Sequence, residues 1–233
     1  MKYNACIYLT SLFPIFKKDE VPLFESFDAE HSSILYSALM MNNIENINQV
    51  SNVSKTVFCF DEKDKELLPE VFNSEDKIIF TRSTLDFQNY FQKLSDKHFS
   101  TCISNLIIFS RSIGITKELI EKALDQLAIE DEAIVIGRTI ENYISFIGFN
   151  NYNSELFNEI DWQLVDYDSF LTKACNYENF IHVLNGNFLM IKNMNDFKKL
   201  YTELSKKESL AYCSPEMHEQ FTNLFIEYKD LLK

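Results

Sequence analysis

Short apolar segments rich in β-branched and aromatic residues alternate along this chain with longer segments of helical periodicity. The predicted strands are Ala5 to Thr10, Thr56 to Phe60, Lys77 to Thr81, Asn105 to Ser110, Ala133 to Gly137, Tyr143 to Phe149 and Phe180 to Leu184. Alternation of this kind predicts an α/β fold in which helices cover a mostly parallel sheet. The strands are almost continuously hydrophobic, as expected of strands that are buried on both faces.

Apolar stripes and capping residues mark the helices between these strands. One helix carries Ile34, Leu35, Ala38 and Leu39, and another carries Leu119, Ile120, Ala123, Leu124 and Leu127. Thr116 is placed to cap the second helix. Ser214 and Pro215 begin a C-terminal helix over about residues 214–232, since proline suits the first helical position. No linker rich in proline, glycine or serine interrupts the 233 residues, so we predict one domain over residues 1–233.

Composition excludes several classes of function. The formal net charge of −13 would repel DNA, RNA and anionic lipid on average. The five cysteines are far apart and never form a C-x-x-C pair, which predicts reduced thiols in a cytoplasmic protein. No segment approaches the ~20 apolar residues of a membrane span. The four glycines cannot assemble a P-loop or a G-x-G-x-x-G turn, and no two histidines have metal-ligand spacing.

The segment from Asn105 to Phe149 is the most informative part of the chain. It reads as strand, loop, helix, strand, tight turn and strand. In an open α/β sheet a ligand binds at the carboxyl ends of the strands, which makes the loop Ser110, Arg111 and Ser112 the predicted site. The alternative is that Arg111 is a solvated loop cation.

Around this segment the chain resembles a known family. The matching features are the helix from Thr116 to Leu127, then Val135, Gly137, Gly148, Leu156, Phe157, Asp161 and Trp162. In this order they resemble a bacterial family of transferases with the nucleotide-diphospho-sugar transferase (GT-A) fold, distantly similar to the nucleotidyltransferases that build molybdenum cofactors. The resemblance covers roughly residues 100–205 and continues more weakly to Met1. It implies a three-layer αβα, Rossmann-like GT-A fold with a mostly parallel central sheet.

The chain departs from this family where the family carries acidic residues. Arg111 replaces the aspartate of a Gly-x-Asp-x-Pro motif, Met190 and Lys192 replace both aspartates of an Asp-x-Asp motif, and Glu141 and Asn142 stand where Asp-Gly is found. Carboxylates would hold a divalent ion against a diphosphate. Arg111 and Lys192 instead repel a metal, although they can attract phosphate oxygens.

The resemblance also supplies the remaining candidate residues. The family's basic loop near the N-terminus, similar to a phosphate-binding turn, is reduced to Lys17 and Lys18. Trp162 can stack on a sugar ring or anchor helix packing. The candidate ligand-binding residues are therefore Lys17, Lys18, Ser110, Arg111, Ser112, Asn142, Lys192 and Trp162, with a nucleotide or nucleotide sugar as ligand. Glu141, an exposed acid on a strand turn, is the one candidate catalytic residue. No cofactor is expected, and Mg²⁺ or Mn²⁺ would enter only if Glu141 is a ligand.

Three hypotheses follow for the function. The first is a ligand-binding or regulatory protein of the GT-A fold that has lost metal-dependent catalysis. The second is a metal-independent glycosyl- or nucleotidyl-transferase in which arginine and lysine hold the diphosphate. The third is a protein–protein interaction module whose cleft is filled by side chains, consistent with the bulky Phe109.

Overall fold

A seven-stranded sheet forms the centre of the computed structural model, which describes residues 4–11, 13–68, 78–81, 103–158 and 160–232. Its strands are β1 (Ala5–Thr10), β2 (Lys55–Asp61), β3 (Ile78–Thr81), β4 (Ser104–Phe109), β6 (Ala133–Arg138), β7 (Ile144–Phe149) and β8 (Phe180–Asn185). Two short strands, β5 (Ser112–Ile113) and β9 (Leu189–Met190), pair with each other as a separate ribbon. The helices are α1 (Ala29–Asn48), α2 (Lys117–Ile129), α3 (Ser154–Asn158), α4 (Tyr167–Ala174), α5 (Met194–Leu204) and α6 (Pro215–Glu227).

The strand order is β3-β2-β1-β4-β7-β6-β8. Every neighbouring pair is parallel except the two that β7 makes, with β4 and with β6. β7 runs the other way because a tight turn at residues 139–143 joins it directly to β6, whereas parallel neighbours need a crossover. The predicted mostly parallel sheet is therefore confirmed.

Helices cover the sheet on both faces. Alternate residues of the central strands enter two separate cores, with Ile7 and Leu9 in one and Cys6 and Tyr8 in the other. The first core also holds apolar side chains of α1, α2, α5 and α6: Leu35, Leu39, Leu124, Phe197, Leu200, Phe221 and Leu224. The second holds those of α3 and α4 with the segment between them: Leu156, Phe157, Trp162 and Phe170. This is the predicted three-layer αβα arrangement.

The capping predictions hold, and two other predictions need correction. Thr116 Oγ1 accepts the Leu119 amide at 3.2 Å, and Ser214 Oγ accepts the Met217 amide at 3.2 Å. The C-terminal helix ends at Glu227 and not near residue 232, because Tyr228 leaves helical geometry and stacks on Phe27 with ring centroids 3.8 Å apart.

The second correction concerns β8, which is not buried on both faces. It lies at the edge of the sheet, and Phe180 at its start is 61% exposed. Lys77, placed in a strand by the sequence, lies outside the described residues. None of the helices in the described ranges combines the length and the apolar character that crossing a bilayer requires.

Candidate functional site

The predicted site loop lies at the carboxyl end of β4, next to the carboxyl end of β1. It turns at once into β5, where Ser112 pairs with Met190 of β9. One residue further on, the Ile191 amide donates to the Arg111 carbonyl at 3.1 Å, and Arg111 Nε donates to the Ile191 carbonyl at 2.9 Å. The ribbon thus brings together Arg111 and the segment of Lys192, two positions that are 81 residues apart in the sequence.

Arg111 lies between aromatic rings and not in open solvent. Its guanidinium carbon is 5.8 Å from the Phe13 ring centroid and 5.6 Å from that of Tyr36, within the range of cation–π attraction. Burial lowers the pKa of Arg111, and the nearby Tyr36 and Asp196 oppose that shift. The side chain remains a cation, since arginine does not lose its proton in proteins. Within the described ranges, no carboxylate lies within 4 Å of it.

The strand ends beside Arg111 are closely filled. A cavity of about 10 Å³ is found there, which is space for about one water molecule. Its lining residues are Thr10, Phe13, Phe109, Ser110, Arg111, Trp162 and Gln163. Any ligand larger than a water molecule would therefore have to displace aromatic side chains to reach the guanidinium from this side.

The two serines of the loop are buried, and the Ser112 side chain and the backbone carbonyls of both serines make hydrogen bonds that fix the loop. Ser112 Oγ donates to the Ser145 carbonyl at 3.1 Å. Asn43 of α1 donates from Nδ2 to the Ser110 carbonyl at 3.3 Å and to the Ser112 carbonyl at 2.8 Å. Asn43 was not a sequence candidate, because an asparagine inside a helix carries no signal of a distant loop contact. In this structure the serines and Asn43 position Arg111.

A second group of charges lies where α5 meets the β6–β7 turn. Lys199 Nζ is 2.7 Å from Glu141 Oε1 and 3.7 Å from Asp196 Oδ1. Lys192 Nζ is 4.0 Å from Asp196 Oδ2 and 3.4 Å from the Tyr143 ring centroid. The lysine ammonium groups thus contact both carboxylates of the group. Lys199 was not predicted, although its i,i+3 spacing to Asp196 is visible in the sequence.

Burial and pairing shift the protonation of this group. Burial raises the pKa of Asp196, which the neighbouring Lys192 partly opposes. The hydrogen bond that Lys199 donates to Glu141 raises the pKa of Lys199. The expectation that Glu141 is an exposed acid is wrong, because its side chain is only 10% exposed where it pairs with Lys199 of α5. Its second oxygen, Oε2, is buried without a hydrogen-bond partner in the part of the chain that the structure describes.

These donors do not fit a divalent cation. Mg²⁺ and Mn²⁺ need several oxygen ligands around one point. Here Asp196 and Glu141 already contact ammonium groups, Met190 offers a thioether, and Lys192 contributes positive charge. No group of three potential metal ligands occurs among the described residues.

Asn142 and Trp162, two of the remaining candidates, take no part in the ion pairs that join these charges in the described part of the chain. Asn142, with a left-handed φ of 67°, accepts from Arg138 at 2.8 Å and donates to Asp168 at 2.7 Å, which fixes the β6–β7 turn. Trp162 is 2% exposed and stacks on Phe157 with centroids 6.0 Å apart. The indole is therefore packed in the core, as in the helix-packing role that was one of its two predicted roles.

Lys17 and Lys18 lie in the loop that follows β1. Among the described residues, no ion pair or hydrogen bond joins either of them to Arg111 or Lys192. Lys18 pairs with Glu30 at 2.6 Å on the surface. Lys17 offers its carbonyl to the amides of Glu20 at 2.9 Å and Val21 at 3.1 Å, which starts a short 3₁₀ turn at Lys18–Glu20.

Comparison with known proteins places the fold. No family model matches the sequence, and no curated protein matches it. Among solved structures, the chain is similar to a protein from Desulfovibrio desulfuricans G20 assigned as a nucleotide-diphospho-sugar transferase, with a TM-score of 0.69, 19% identity, and coverage of 99% of this chain and 97% of that one.

Two further solved structures are more distant. The 4-diphosphocytidyl-2C-methyl-D-erythritol synthase from Anaerococcus prevotii DSM 20548 gives a TM-score of 0.53 at 11% identity, covering 88% of this chain and 97% of that one. A CMP:2-keto-3-deoxy-manno-octonic acid synthetase complexed with CTP gives 0.51 at 8% identity, covering 88% and 99%. At these identities the likeness establishes the nucleotide-diphospho-sugar transferase fold alone.

Proposed function

We propose that this chain is a non-catalytic ligand-binding or regulatory protein built on the nucleotide-diphospho-sugar transferase fold. The observation that carries the proposal is the position of Lys199 Nζ, 2.7 Å from Glu141 and 3.7 Å from Asp196. The two carboxylates left in this region are thus neutralised from within the chain. Arg111 and Lys192 add positive charge where the family resemblance implies aspartates, and like charge repels a metal ion.

The ligand class that fits these charges is a phosphate-bearing nucleotide. Arg111 uses Nε for the Ile191 carbonyl, and no acceptor among the described residues bonds its two terminal nitrogens. A guanidinium held by its Nε and by aromatic rings can offer these nitrogens to two phosphate oxygens. Two proteins of similar fold carry cytidine nucleotides in their names, so CTP and CMP are the first ligands to test. A single domain over residues 1–233, a cytoplasmic location and the distant kinship to molybdenum-cofactor nucleotidyltransferases belong to the same proposal.

Calorimetric titration tests the proposal directly. We expect CTP or a nucleotide sugar to bind the wild-type chain with the same affinity in Mn²⁺ and in a chelator. Arg111→Met is expected to abolish binding, whereas Arg138→Met, which removes an exposed arginine bonded to Asn142, is expected to leave it unchanged. Unfolding curves of both variants show whether loss of binding reflects loss of the fold. Metal-dependent release of pyrophosphate or nucleoside monophosphate would refute the proposal.

Turnover without metal that disappears in Arg111→Met would favour the metal-independent transferase instead. In that mechanism the arginine itself stabilises the charge that develops on the diphosphate. The two outcomes differ in product formation, which chromatography of the nucleotide separates from binding alone.

The packed strand ends favour a second candidate, the protein–protein interaction module. A cavity of about 10 Å³ beside Arg111 holds no base or sugar without movement of Phe13, Phe109 or Trp162. If no nucleotide or nucleotide sugar changes the unfolding temperature of the wild-type chain, the interaction-module hypothesis is supported and the ligand-binding proposal fails, because a ligand that binds the folded chain adds stability.

A further inference from the structure

The loop that follows β1 encloses a buried carboxylate. Asp64 lies in a 3₁₀ turn (Glu62–Asp64) directly after β2, and its side chain is 0% exposed. The Ile15 amide donates to both of its oxygens at 2.9 Å, and the Phe16 amide donates to Oδ1 at 2.8 Å. The Lys17 amide, next in the chain, also favours the charged form of this carboxylate. Two successive backbone amides therefore converge on one anion, which is the arrangement of an anion-binding nest.

These amides are what stabilises the charge of Asp64. In the described part of the chain, no lysine, arginine or histidine nitrogen lies within 4 Å of it. Burial raises the pKa of Asp64 and the amide bonds oppose that shift. A carboxylate in such a place is costly unless hydrogen bonds replace its water, and here backbone amides do so.

The nest lies at the edge of the sheet where a ligand is expected. Its loop leaves the carboxyl end of β1, between β2, which leads to Asp64, and β4, which leads to Arg111. Phe13 of the same loop contacts the Arg111 guanidinium at 5.8 Å. Ser33 Oγ donates to the Ile15 carbonyl at 2.5 Å, which ties the loop to α1. Amides held at the strand ends of an α/β sheet suit the phosphate of a bound ligand.

We propose that this loop is a phosphate-binding nest that the chain fills with its own carboxylate, so that Asp64 acts as a built-in anion and closes the loop to phosphate. The inference concerns the backbone amides of Ile15 and Phe16 and does not depend on binding at Arg111. It predicts that the wild-type chain ignores inorganic phosphate at the nest, and that removal of the carboxylate uncovers a site for it.

Thermal unfolding of Asp64→Ala tests this proposal, with inorganic phosphate and pyrophosphate as the probes and sodium chloride of equal ionic strength as the reference. Asp61→Ala is the matched control, because Asp61 is also buried and, among the described residues, accepts a hydrogen bond only from the Lys63 amide at 3.0 Å, in the same turn. We expect the unfolding temperature of Asp64→Ala to lie below that of the wild type and to rise saturably with phosphate. Asp61→Ala is expected to respond to phosphate no more than the wild type does, and any phosphate held at Arg111 contributes equally to all the proteins compared.

A second variant keeps the test decisive if Asp64→Ala does not fold. Asp64→Asn preserves the shape of the side chain but removes its charge and replaces one of the two oxygens that accept the Ile15 amide with a donor, so phosphate competes with it for the nest. Phosphate-specific stabilisation in either variant supports the proposal. The proposal is overturned if whichever variant folds responds equally to phosphate and chloride, or if the wild type is stabilised by phosphate as strongly as the variant. Neither result alters the nucleotide titration at Arg111, so the two proposals fail separately.

Discussion

Removal of one partner from the Glu141–Lys199 ion pair gives the sharpest measure of how the candidate site is held. The ammonium and Oε1 are 2.7 Å apart, the glutamate side chain is 10% exposed and the lysine side chain is 38% exposed. Asp196, 3.7 Å from the same ammonium, adds a second buried carboxylate. Lys199→Met would therefore leave two neighbouring anions with one cation fewer.

The magnitude follows from the intermediate burial of the pair. At a separation of 2.7 Å and an effective dielectric constant of about 20, the attraction is about 6 kcal/mol before desolvation is subtracted. Exposed pairs retain about 0–1 kcal/mol, whereas loss of one partner from a buried pair costs about 3–5 kcal/mol. Because Lys199 is more than a third exposed, we expect Lys199→Met to lower the unfolding free energy by about 2 kcal/mol.

Substitution of the other partner, Glu141, should lower the unfolding free energy less. Glu141→Gln removes a carboxylate whose Oε2 already lacks a hydrogen-bond partner among the described residues, and it also relieves the repulsion of Asp196. We expect a loss of about 1 kcal/mol, and a coupling energy between the two substitutions of about 1–1.5 kcal/mol. The asymmetry between the single variants is part of the prediction.

Urea unfolding monitored by the single tryptophan gives the unfolding free energies of the wild type, the two single variants and the double variant. These four values form a double-mutant cycle, from which the coupling energy follows. The Lys18–Glu30 pair is the control, since its atoms are equally close at 2.6 Å but both side chains are more than half exposed. Because solvent screens both charges, that pair should show no measurable coupling. The reasoning is refuted if the two cycles give the same coupling, or if Glu141→Gln destabilises more than Lys199→Met does.

Three further predictions concern buried groups outside this pair. Asn43→Leu should lower the unfolding free energy by about 2 kcal/mol, because the hydrogen bonds from Nδ2 to three carbonyls are lost. Asn42→Leu should leave stability unchanged or raise it, since both side-chain polar atoms of Asn42 are buried without a partner among the described residues. Equal losses of stability in urea titrations of the two variants would contradict this prediction. Burial raises the pKa of Cys59 to about 12. Because an unfolded thiol titrates near 8.5, stability should fall as pH rises above that value, and the loss between about pH 7.5 and about pH 10 should be about 2 kcal/mol smaller in Cys59→Ala than in the wild type. A chromogenic disulfide reagent should modify the exposed Cys175 before Cys6, Cys59 and Cys213 in the native protein, which peptide mass spectrometry can locate; early labelling of Cys59 would contradict the structure.

The loop after β4 illustrates what strand patterns can predict. Runs such as Asn105 to Ser110 identify buried strands, and the position of a loop at the carboxyl end of a parallel strand follows from the fold class alone. Substitution of cations for expected aspartates at Arg111 and Lys192 was equally visible. The sequence did not predict that β5 and β9 pair, because two-residue strands carry no periodic signal.

The sequence also did not predict which groups contact the buried charges, because no local pattern records contacts between distant segments. Asp64 lies in the run DEKDKE, where nothing distinguishes it from its exposed neighbours, and its amide donors are about 48 residues away in the chain. Glu141 was expected on the surface because a turn between two strands is usually solvated. Its burial depends on how α5 packs over that turn, and Lys199 comes from the same helix.

The sequence by itself determined the αβα layers, most strand positions, the helix caps at Thr116 and Ser214, and the loop where a site would lie. These properties depend on local periodicity and on the residue types next to each other, which the linear pattern records. Only the tertiary structure decided that lysine ammonium groups contact the remaining carboxylates, that Asp64 fills the amides of the first loop, and that aromatic side chains fill the strand ends. Each of these depends on the distance between segments remote in the chain, and packing of the helices on the sheet sets that distance.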